Sequence, residues 1–369
     1  MTKKNIPFFN YPWLFQQDKD QLTKIFQEVS NRGAFIMQDD LSEFESRLSK
    51  YTGTRALGVA NATDALQLLM KAGGIGADDE VIFCSHTMVA TASAIKFTGA
   101  TPVPVEAGTD HLIDPDSIKK AITSKTKAIM PTQLNGRVAD MDQILEISQE
   151  YGLQIYEDSA QALGAKYKGK AAGSFGVGGC ISFYPAKILG CFGDGGAVLC
   201  NDEEIYQKIK LMRDHGRGDD GNVSVWGYNS RLDNLQAAIL NYFFNDYEQI
   251  VERRRAIARL YHERLSGLSM VTLPPSPDSS SEHFDVYQNY EIEVDKRDEL
   301  KKYLAENGIG TLIQWGGKAV HEFRDLGFTQ SLPYTENLMR SSLMLPLNMT
   351  VTDDDVDYIC DHVSNFYHV

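Results

Sequence analysis

Residues 180–196 read CISFYPAKILGCFGDGG, and this stretch organises the rest of the chain. Its first five residues are β-prone and alternate as a strand does, and Pro185 then ends the ladder. Lys187 follows at once, with Gly190, Gly193, Gly195 and Gly196 behind it. A lysine between a proline and a glycine-rich turn, at the end of a strand, is held in place. On its own such a lysine is an ordinary surface residue; the residues it keeps company with elsewhere give it a role.

The composition is that of a globular protein, with 43% hydrophobic and 23% charged residues, and 369 residues suit two domains or one α/β domain with an appendage. A net charge of −14 argues against nucleic-acid binding, yet leaves room for a phosphate held by backbone N–H groups. The five cysteines show no CxxC pair and read as reduced packing residues. The eight histidines lack HxxH or HxxxH spacing, so no metal site is expected. The N-terminus is too interrupted for a signal peptide and no run is long enough to span a bilayer, which together place the chain in the cytoplasm.

Taken in order, the spacing predicts helices over 18–31 and 38–51, a short strand ending at Val59, then a helix capped by Asn61 or Thr63 with Leu66, Leu69 and Met70 buried. Strands follow at 80–84, 101–105, 127–130 and 153–156, alternating with helices at 89–97, 115–122 and 141–151. This alternation argues for a mostly parallel sheet covered on both faces, with ligands at the carboxyl ends of its strands. Residues 217–222 read as a loop. Residues 232–265 read as one long helix or two end to end, whose basic run at 252–255 is a solvated face. Residues 273–282 form a linker, followed by a strand at 287–294 and helices at 296–307 and 351–366 in a smaller α+β unit.

Thr63, Asp158, Ser182 and Lys187 all fall at strand ends or helix starts. Asp158 closes the apolar run LQIYED, where a carboxylate needs a cationic partner such as a protonated pyridine nitrogen. Gln161 lies about one helical turn on. Thr63 and Asp64 sit at a helix N-terminus suited to a phosphate, and Ser182 adds a hydroxyl. Lysine, aspartate and phosphate cradle are the requirements of a pyridoxal 5′-phosphate (PLP) site. Singly, each has a plainer reading: Thr63 as an N-cap, Asp158 as a turn aspartate.

The motifs NATDAL (61–66), GADDEVI (76–82), VATASAI (89–95), GATPVPV (99–105), TKAIMP (126–131), EDSAQALGA (157–165), GSFGVGGCISFYPAKILGCFGDGGAV (173–198), RDHG (213–216) and GYNSRLDNLQAAIL (227–240) run through most of the chain. Together they resemble the DegT/StrS family of PLP-dependent sugar aminotransferases, of the aspartate-aminotransferase (type I) fold. The resemblance implies an α/β large domain over residues 1–245, with a mostly parallel seven-stranded sheet flanked by helices, and a small α+β domain over 246–369 on which the N-terminal segment can pack. It implies Lys187 as the Schiff-base lysine, Asp158 on the ring nitrogen, Gln161 on the ring hydroxyl, and Thr63, Asp64 and Ser182 on the phosphate. It also implies Asn229 and Arg231 reaching in from a second subunit, hence a homodimer with shared sites.

The sequence departs from the family pattern at Met88, where an aromatic ring is usual, at Gln133-Leu134-Asn135, at Leu163, and at Gln314-Trp315-Gly316 in place of His-Tyr-Pro. These positions bear on substrate; His86, Trp315 and His321 are further candidate contacts, with packing an equal reading. Retention of Lys187, where a dehydrating branch of the family has histidine, implies transamination from glutamate to a keto nucleotide sugar, 3-keto ahead of 4-keto. A keto-cyclitol aminotransferase is the alternative enzyme, and a non-catalytic PLP-binding regulator the alternative of another class.

Overall fold

The computed structural model describes residues 3–367. In chain order the strands are β1 (Arg55–Val59), β2 (Glu80–Cys84), β3 (Thr101–Val105), β4 (Thr126–Met130), β5 (Gln154–Asp158), the short pair β6 (Lys166–Tyr167) and β7 (Lys170–Ala171), β8 (Gly178–Ser182), β9 (Gly196–Cys200), β10 (Val271–Thr272), β11 (His283–Phe284), β12 (Tyr290–Val294) and β13 (Ser342–Leu345). Seven of them form one sheet in the order β1-β9-β8-β5-β4-β2-β3. The ladders from β8 through β5, β4 and β2 to β3 are parallel, whereas β9 runs antiparallel to both β8 and β1. The glycine-rich turn explains that one reversal: no crossover helix lies between β8 and β9, and a parallel return needs one.

Alternation along each strand divides the core between the two faces. In β2, Ile82 and Cys84 pack on one side with Leu41, Phe44 and Leu48 of the helix Asp39–Thr52. Val81 and Phe83 pack on the other with Leu66, Leu69 and Met70 of the helix Ala62–Ala72. A third core gathers β12 and β13 with the helices Tyr247–Leu265, Arg297–Glu306 and Asp353–Tyr367. Ile6 joins this third core and bridges to Ile309, so the N-terminal segment lies against it. All five cysteines are free and buried, and among the described residues no helix is long and apolar enough to cross a membrane.

Residues 232–265 take the second of their two readings, helices Asn234–Phe243 and Tyr247–Leu265 joined by a turn at Phe244–Asp246. Other elements differ from the sequence reading. The expected strand from 287 begins only at Tyr290, because Tyr287 has φ +51°, outside the extended region. Strand β8 stops at Ser182 rather than running to Tyr184. The helices Glu203–Met212 and Pro333–Ser341 and strands β9 and β13 were not anticipated.

The basic run is not a solvated face. Arg254 and Arg255 are buried, and both spend their guanidinium donors on backbone carbonyls of residues 277–288, from the expected linker to the start of the expected strand. Arg254 donates from Nε to Tyr287 (2.8 Å) and from Nη2 to Gln288 (2.7 Å); Arg255 donates to Asp285 (2.8 Å) and Pro277 (3.1 Å). A buried non-repetitive loop leaves carbonyls unpaired, and the fixed fork of arginine satisfies two at once. Replacing Arg254 by Met keeps the apolar stem and strands two carbonyls. We expect urea unfolding to show a loss of about 2–4 kcal/mol; a change within about 0.5 kcal/mol would return this residue to the solvated surface.

Candidate active site

The carboxyl ends of β1, β2, β4, β5 and β8 share one edge of the sheet. Asp158, last residue of β5, pairs in register with Cys180 of β8, and Ser182 at the end of β8 pairs with Gly196, which in turn pairs with Val59 of β1. Gly196 is required there: a Cβ would lie 2.4 Å from the Asn61 carbonyl carbon and 2.6 Å from the Ala62 nitrogen, so only glycine lets β9 pass against the start of the helix Ala62–Ala72. Thr63, Asp158, Ser182 and the turn bearing Lys187 therefore meet at one edge, and Gln161, Ser182 and Lys187 line a single small cavity.

Asp158 is 6% exposed. One carboxylate oxygen accepts from Thr91 Oγ1 at 2.6 Å, and the other accepts from the Ala160 N–H at 3.2 Å and from Cys180 Sγ at 3.5 Å. Thr91 continues into a run of hydroxyls, 2.8 Å to Thr87 and then 3.2 Å to Thr132. The adjacent Glu157 points to the opposite face of β5, where burial pushes its carboxyl up to about 7 while Gln133 and the Phe175 N–H donate to it. Strand alternation thus decides which of the two acids faces Lys187.

Lys187 is half-buried, and burial pulls its ammonium down to about 8 against the opposing attraction of the Asp158 carboxylate. Its backbone is clamped by Gln288, whose side-chain amide donates to the Ala186 carbonyl (2.9 Å) and accepts from the Ile188 N–H (3.0 Å). Gln288 is itself the residue whose carbonyl Arg254 holds. On its outer side Lys187 lines a crevice of about 490 Å³ shared with Phe8, Tyr11, Trp13, Asn289 and Asn348. That volume is in the range of small-molecule sites.

Other expected residues are placed as follows. Thr63 is half-buried in the first turn of its helix, behind the Asn61 cap. Asp64 does not present a free group: its N–H donates to Asn61 Oδ1 and its carboxylate accepts from Ser230. Met88, 53% exposed, precedes the helix Val89–Thr98 that carries Thr91. Gln161 Oε1 accepts from the Asn135 N–H at 2.9 Å. Asn229 and Arg231 line an open hollow that shares no residue with the Lys187 crevice, and Arg231 is paired with Asp214 at 2.6 Å. Trp315 is half-buried with φ +47°, its ring edge-on to His86 at 5.6 Å. His86 and His321 are sealed from solvent. His321 has one ring nitrogen 2.7 Å from Ser85 Oγ and the other 3.3 Å from Glu336, and neither His86 nor His321 lines the crevice beside Lys187.

Sequence reasoning missed Thr87, Thr91, Thr132 and Gln288. A threonine three residues into a helix after SHTMV carries no pattern of its own, and Gln288 sits 101 positions from the lysine it brackets. It also missed a cluster of His86, His111 and Glu291, whose ligand-capable atoms lie within 4.8 Å of one another. Short-range spacing rules do not reach across such separations.

The residues present fit a PLP cofactor. A half-buried carboxyl-edge amine, a sealed carboxylate with a fixed set of donors, and a helix start pressed against Gly196 are the groups that would hold its aldehyde, ring nitrogen and phosphate. The DegT/DnrJ/EryC1/StrS aminotransferase family model matches residues 16–364. A Streptomyces venezuelae protein named dTDP-3-amino-3,4,6-trideoxy-alpha-D-glucose transaminase is 37% identical over 355 residues, covering 93% of this chain and 91% of that one. A Geobacillus stearothermophilus "pleiotropic regulatory protein" is 36% identical over 369 residues, covering 98% and 99%. The crystal structure of S. venezuelae DesV in complex with a ketimine intermediate superposes with a TM-score of 0.94 at 35% identity, covering 99% of both chains.

The shift on Lys187 has a measurable sign. In the folded, cofactor-free chain Lys187 loses its proton near 8, whereas unfolded lysine loses it near 10.5. Between those values the unfolded state holds more protons, so stability rises with pH, by at most about 1.4 kcal/mol per pH unit. The penalty is full below pH 8 and gone above 10.5. Lys187→Met removes it, so the stability advantage of that variant in urea titrations should shrink steadily across this window. An advantage that does not vary with pH would mean an unperturbed amine.

Proposed function

The chain belongs to the DegT/DnrJ/EryC1/StrS aminotransferase family, and from that premise we propose that it transfers an amino group from glutamate to a 3-keto nucleotide sugar, as a step in amino-sugar synthesis. The fold is that of the PLP-dependent aminotransferases. The observation that carries the reading is Lys187 itself: an amine drawn down to about 8, beside a sealed carboxylate, opening on a crevice of about 490 Å³. The name of the S. venezuelae relative, a 3-amino-sugar transaminase, supports the 3-keto position.

When bound, PLP supplies an electron-poor ring that stabilises negative charge at the substrate carbon bonded to nitrogen. The chain does the rest. Lys187 Nζ would hold the cofactor and, when free, would take up and return a proton; burial, which pulls its ammonium down, makes the neutral amine accessible for that role. Asp158 holds the opposing charge at the ring nitrogen, with Thr91, Ala160 and Cys180 fixing its plane. Gln161 is oriented toward the ring hydroxyl by the Asn135 N–H. Thr63 and Ser182 receive the phosphate at the helix start, Asp64 closing the cap behind them. Met88 covers the ring with its thioether.

We assign residues 1–245 to the cofactor-binding domain and 246–369 to the small domain, and the 3–10 segment to a strap between them, supported by the bridge from Ile6 to Ile309 and by Phe8 in the crevice. We further propose a homodimer in which Asn229 and Arg231 serve the partner's site, since within one chain they open away from Lys187. Trp315 is assigned to the sugar end. Five free buried thiols support a reducing, cytoplasmic setting. The name of the Geobacillus relative favours a second reading, a cofactor-binding regulator without turnover.

Borohydride should trap the cofactor on Lys187, and Lys187→Ala should abolish turnover. Glutamate added to the purified protein should release 2-oxoglutarate, after which 3-keto dTDP- or UDP-sugars should be aminated faster than 4-keto ones and than keto-cyclitols. Cofactor binding without any release of 2-oxoglutarate would favour the regulator. Neither Lys187→Ala nor Asn229→Ala should be active alone, and mixing the two should restore activity in the hybrid dimer; no recovery would place both residues in one chain's site.

A further inference from the structure

We propose that His86, His111 and Glu291 form a binding site for one divalent first-row transition ion, zinc foremost, which clips β12 to the loops that follow β2 and β3. The site is distinct from the amine and carboxylate of the cofactor pocket, and the inference stands whether or not the substrate is a nucleotide sugar.

The argument is one of lone pairs. His86 Nδ1 lies 3.1 Å from the His111 carbonyl, which can only accept, so Nδ1 carries the hydrogen and Nε2 the lone pair. That Nε2 faces Glu291 Oε1, another acceptor, at 3.5 Å, and both atoms are buried with no hydrogen-bond partner. His111 lies between two carboxylates, with Nε2 3.1 Å from Glu293 and Nδ1 3.0 Å from Glu291 Oε2; with its hydrogen on Nε2 it turns the Nδ1 lone pair inward to an ion, and without an ion a proton on Nδ1 bonds Glu291 instead. Three groups thus converge with acceptors inward and their outer hydrogens spent on oxygen. This is how metal-bound histidines are oriented, with Glu293 and the His111 carbonyl as the outer partners.

The spacing also suits an ion. Bonds of about 2.0–2.2 Å in a tetrahedral site set ligand atoms about 3.3 Å apart; His86 Nε2 lies 3.5 Å from Glu291 Oε1 and His111 Nδ1 3.0 Å from Oε2, and the ligand-capable atoms fall within 4.8 Å of one another. Two imidazoles and a carboxylate suit zinc or cobalt over magnesium or calcium. Glu291 and Glu293 together balance a divalent charge, and Arg137, which lines the adjoining hollow, is already neutralised by Asp285 at 2.6 Å. A hollow of about 40 Å³ lined by His111, Asn135 and Glu291 leaves room for a water as the remaining ligand. His111 takes a left-handed conformation, φ +67°, to present its ring, and Asn135 Nδ2 donates to Glu291 Oε2 at 2.8 Å, which links the clip to the residue that orients Gln161. The competing occupants are two protons, one on each histidine.

The test uses the full-length protein with its cofactor, purified without chelating tags and kept free of amino acids. Elemental analysis should find about one zinc per chain, and after its removal with a chelator, Co(II) should produce tetrahedral visible bands beyond the cofactor's absorbance and raise the Tm. His111→Ala and Glu291→Gln should abolish both effects while borohydride still labels Lys187, which certifies the fold. Glu293→Gln should weaken metal affinity by about 10- to 100-fold, as outer-sphere carboxylates do. A metal-free protein that shows no bands and no Tm change with Co(II) or Zn(II) would overturn the proposal in favour of protons. Bands that survive in His111→Ala and Glu291→Gln would overturn it in favour of another site.

Discussion

A carboxylate taken out of water at the end of β5 is the constraint around which the site is arranged. Asp158 is 6% exposed, and a charge so placed is tolerable only with donors on its oxygens and a cation in view. The donors come from three directions: Thr91 from the helix after β2, the Ala160 N–H from its own turn, and Cys180 from β8. The cation within the chain is Lys187, whose charge Asp158 supports while burial works against it. Thr132 at the end of β4 and Thr87 after β2 extend the donor chain, so one charge draws the ends of several strands into a common orientation.

The lysine is fixed from the other direction, by the segment that joins the long helix Tyr247–Leu265 to β12. Gln288 closes on both peptide groups flanking Lys187, Arg254 holds Gln288 and Tyr287 by their carbonyls, and Arg255 holds Asp285 and Pro277. None of these contacts is a salt bridge to the lysine. They are bonds to backbone, neutral from Gln288 and charge-assisted from the two arginines, whose worth lies in direction more than in magnitude. The position of the amine relative to Asp158 therefore depends on the third core as well as on the sheet, and a shift between the two cores would move the lysine and leave the acid where it is.

What could be read in the sequence and what could not divides along range of interaction. Alternating strands and helices over 55–158, the glycine turn behind Lys187 and the placement of Asp158 follow from local period, β-propensity and strand-end position, all of which a sequence displays. The antiparallel β9 does not, because its direction follows from the absence of a helix in the preceding connection. The run at 252–255 looked solvated because charge on a helix ordinarily is; its burial is set by the unpaired carbonyls of 277–288, which no property of the helix announces. Thr91 and Gln288 are ordinary residues whose partners lie 67 and about 100 positions away. His86, His111 and Glu291 come from three separate elements, and a search for paired histidines passes over them.

Several departures from the family pattern look scattered in the sequence but are one connected patch in space. Asn135 Oδ1 accepts from Gln314 at 3.2 Å and from Asn289 at 2.9 Å, its Nδ2 donates to Glu291, and its N–H donates to Gln161. Trp315, next to Gln314, stands edge-on to His86 on the far side of the same carboxylate. Three departures stand outside it: Met88 is exposed, Gln133 donates to Glu157 on the other face of β5, and Leu163 is buried in the core with its carbonyl taking the Tyr247 hydroxyl at 2.6 Å. A hydrogen-bonded patch of this kind cannot be altered one member at a time, since each donor removed leaves an acceptor unpaired in a site with little water. Asn135, Gln314 and Trp315 are therefore best understood as one unit that joins the departures at 133–135 and 314–316. The patch meets the crevice beside Lys187 through Gln161 and through Asn289, which bonds both Asn135 and Gln161.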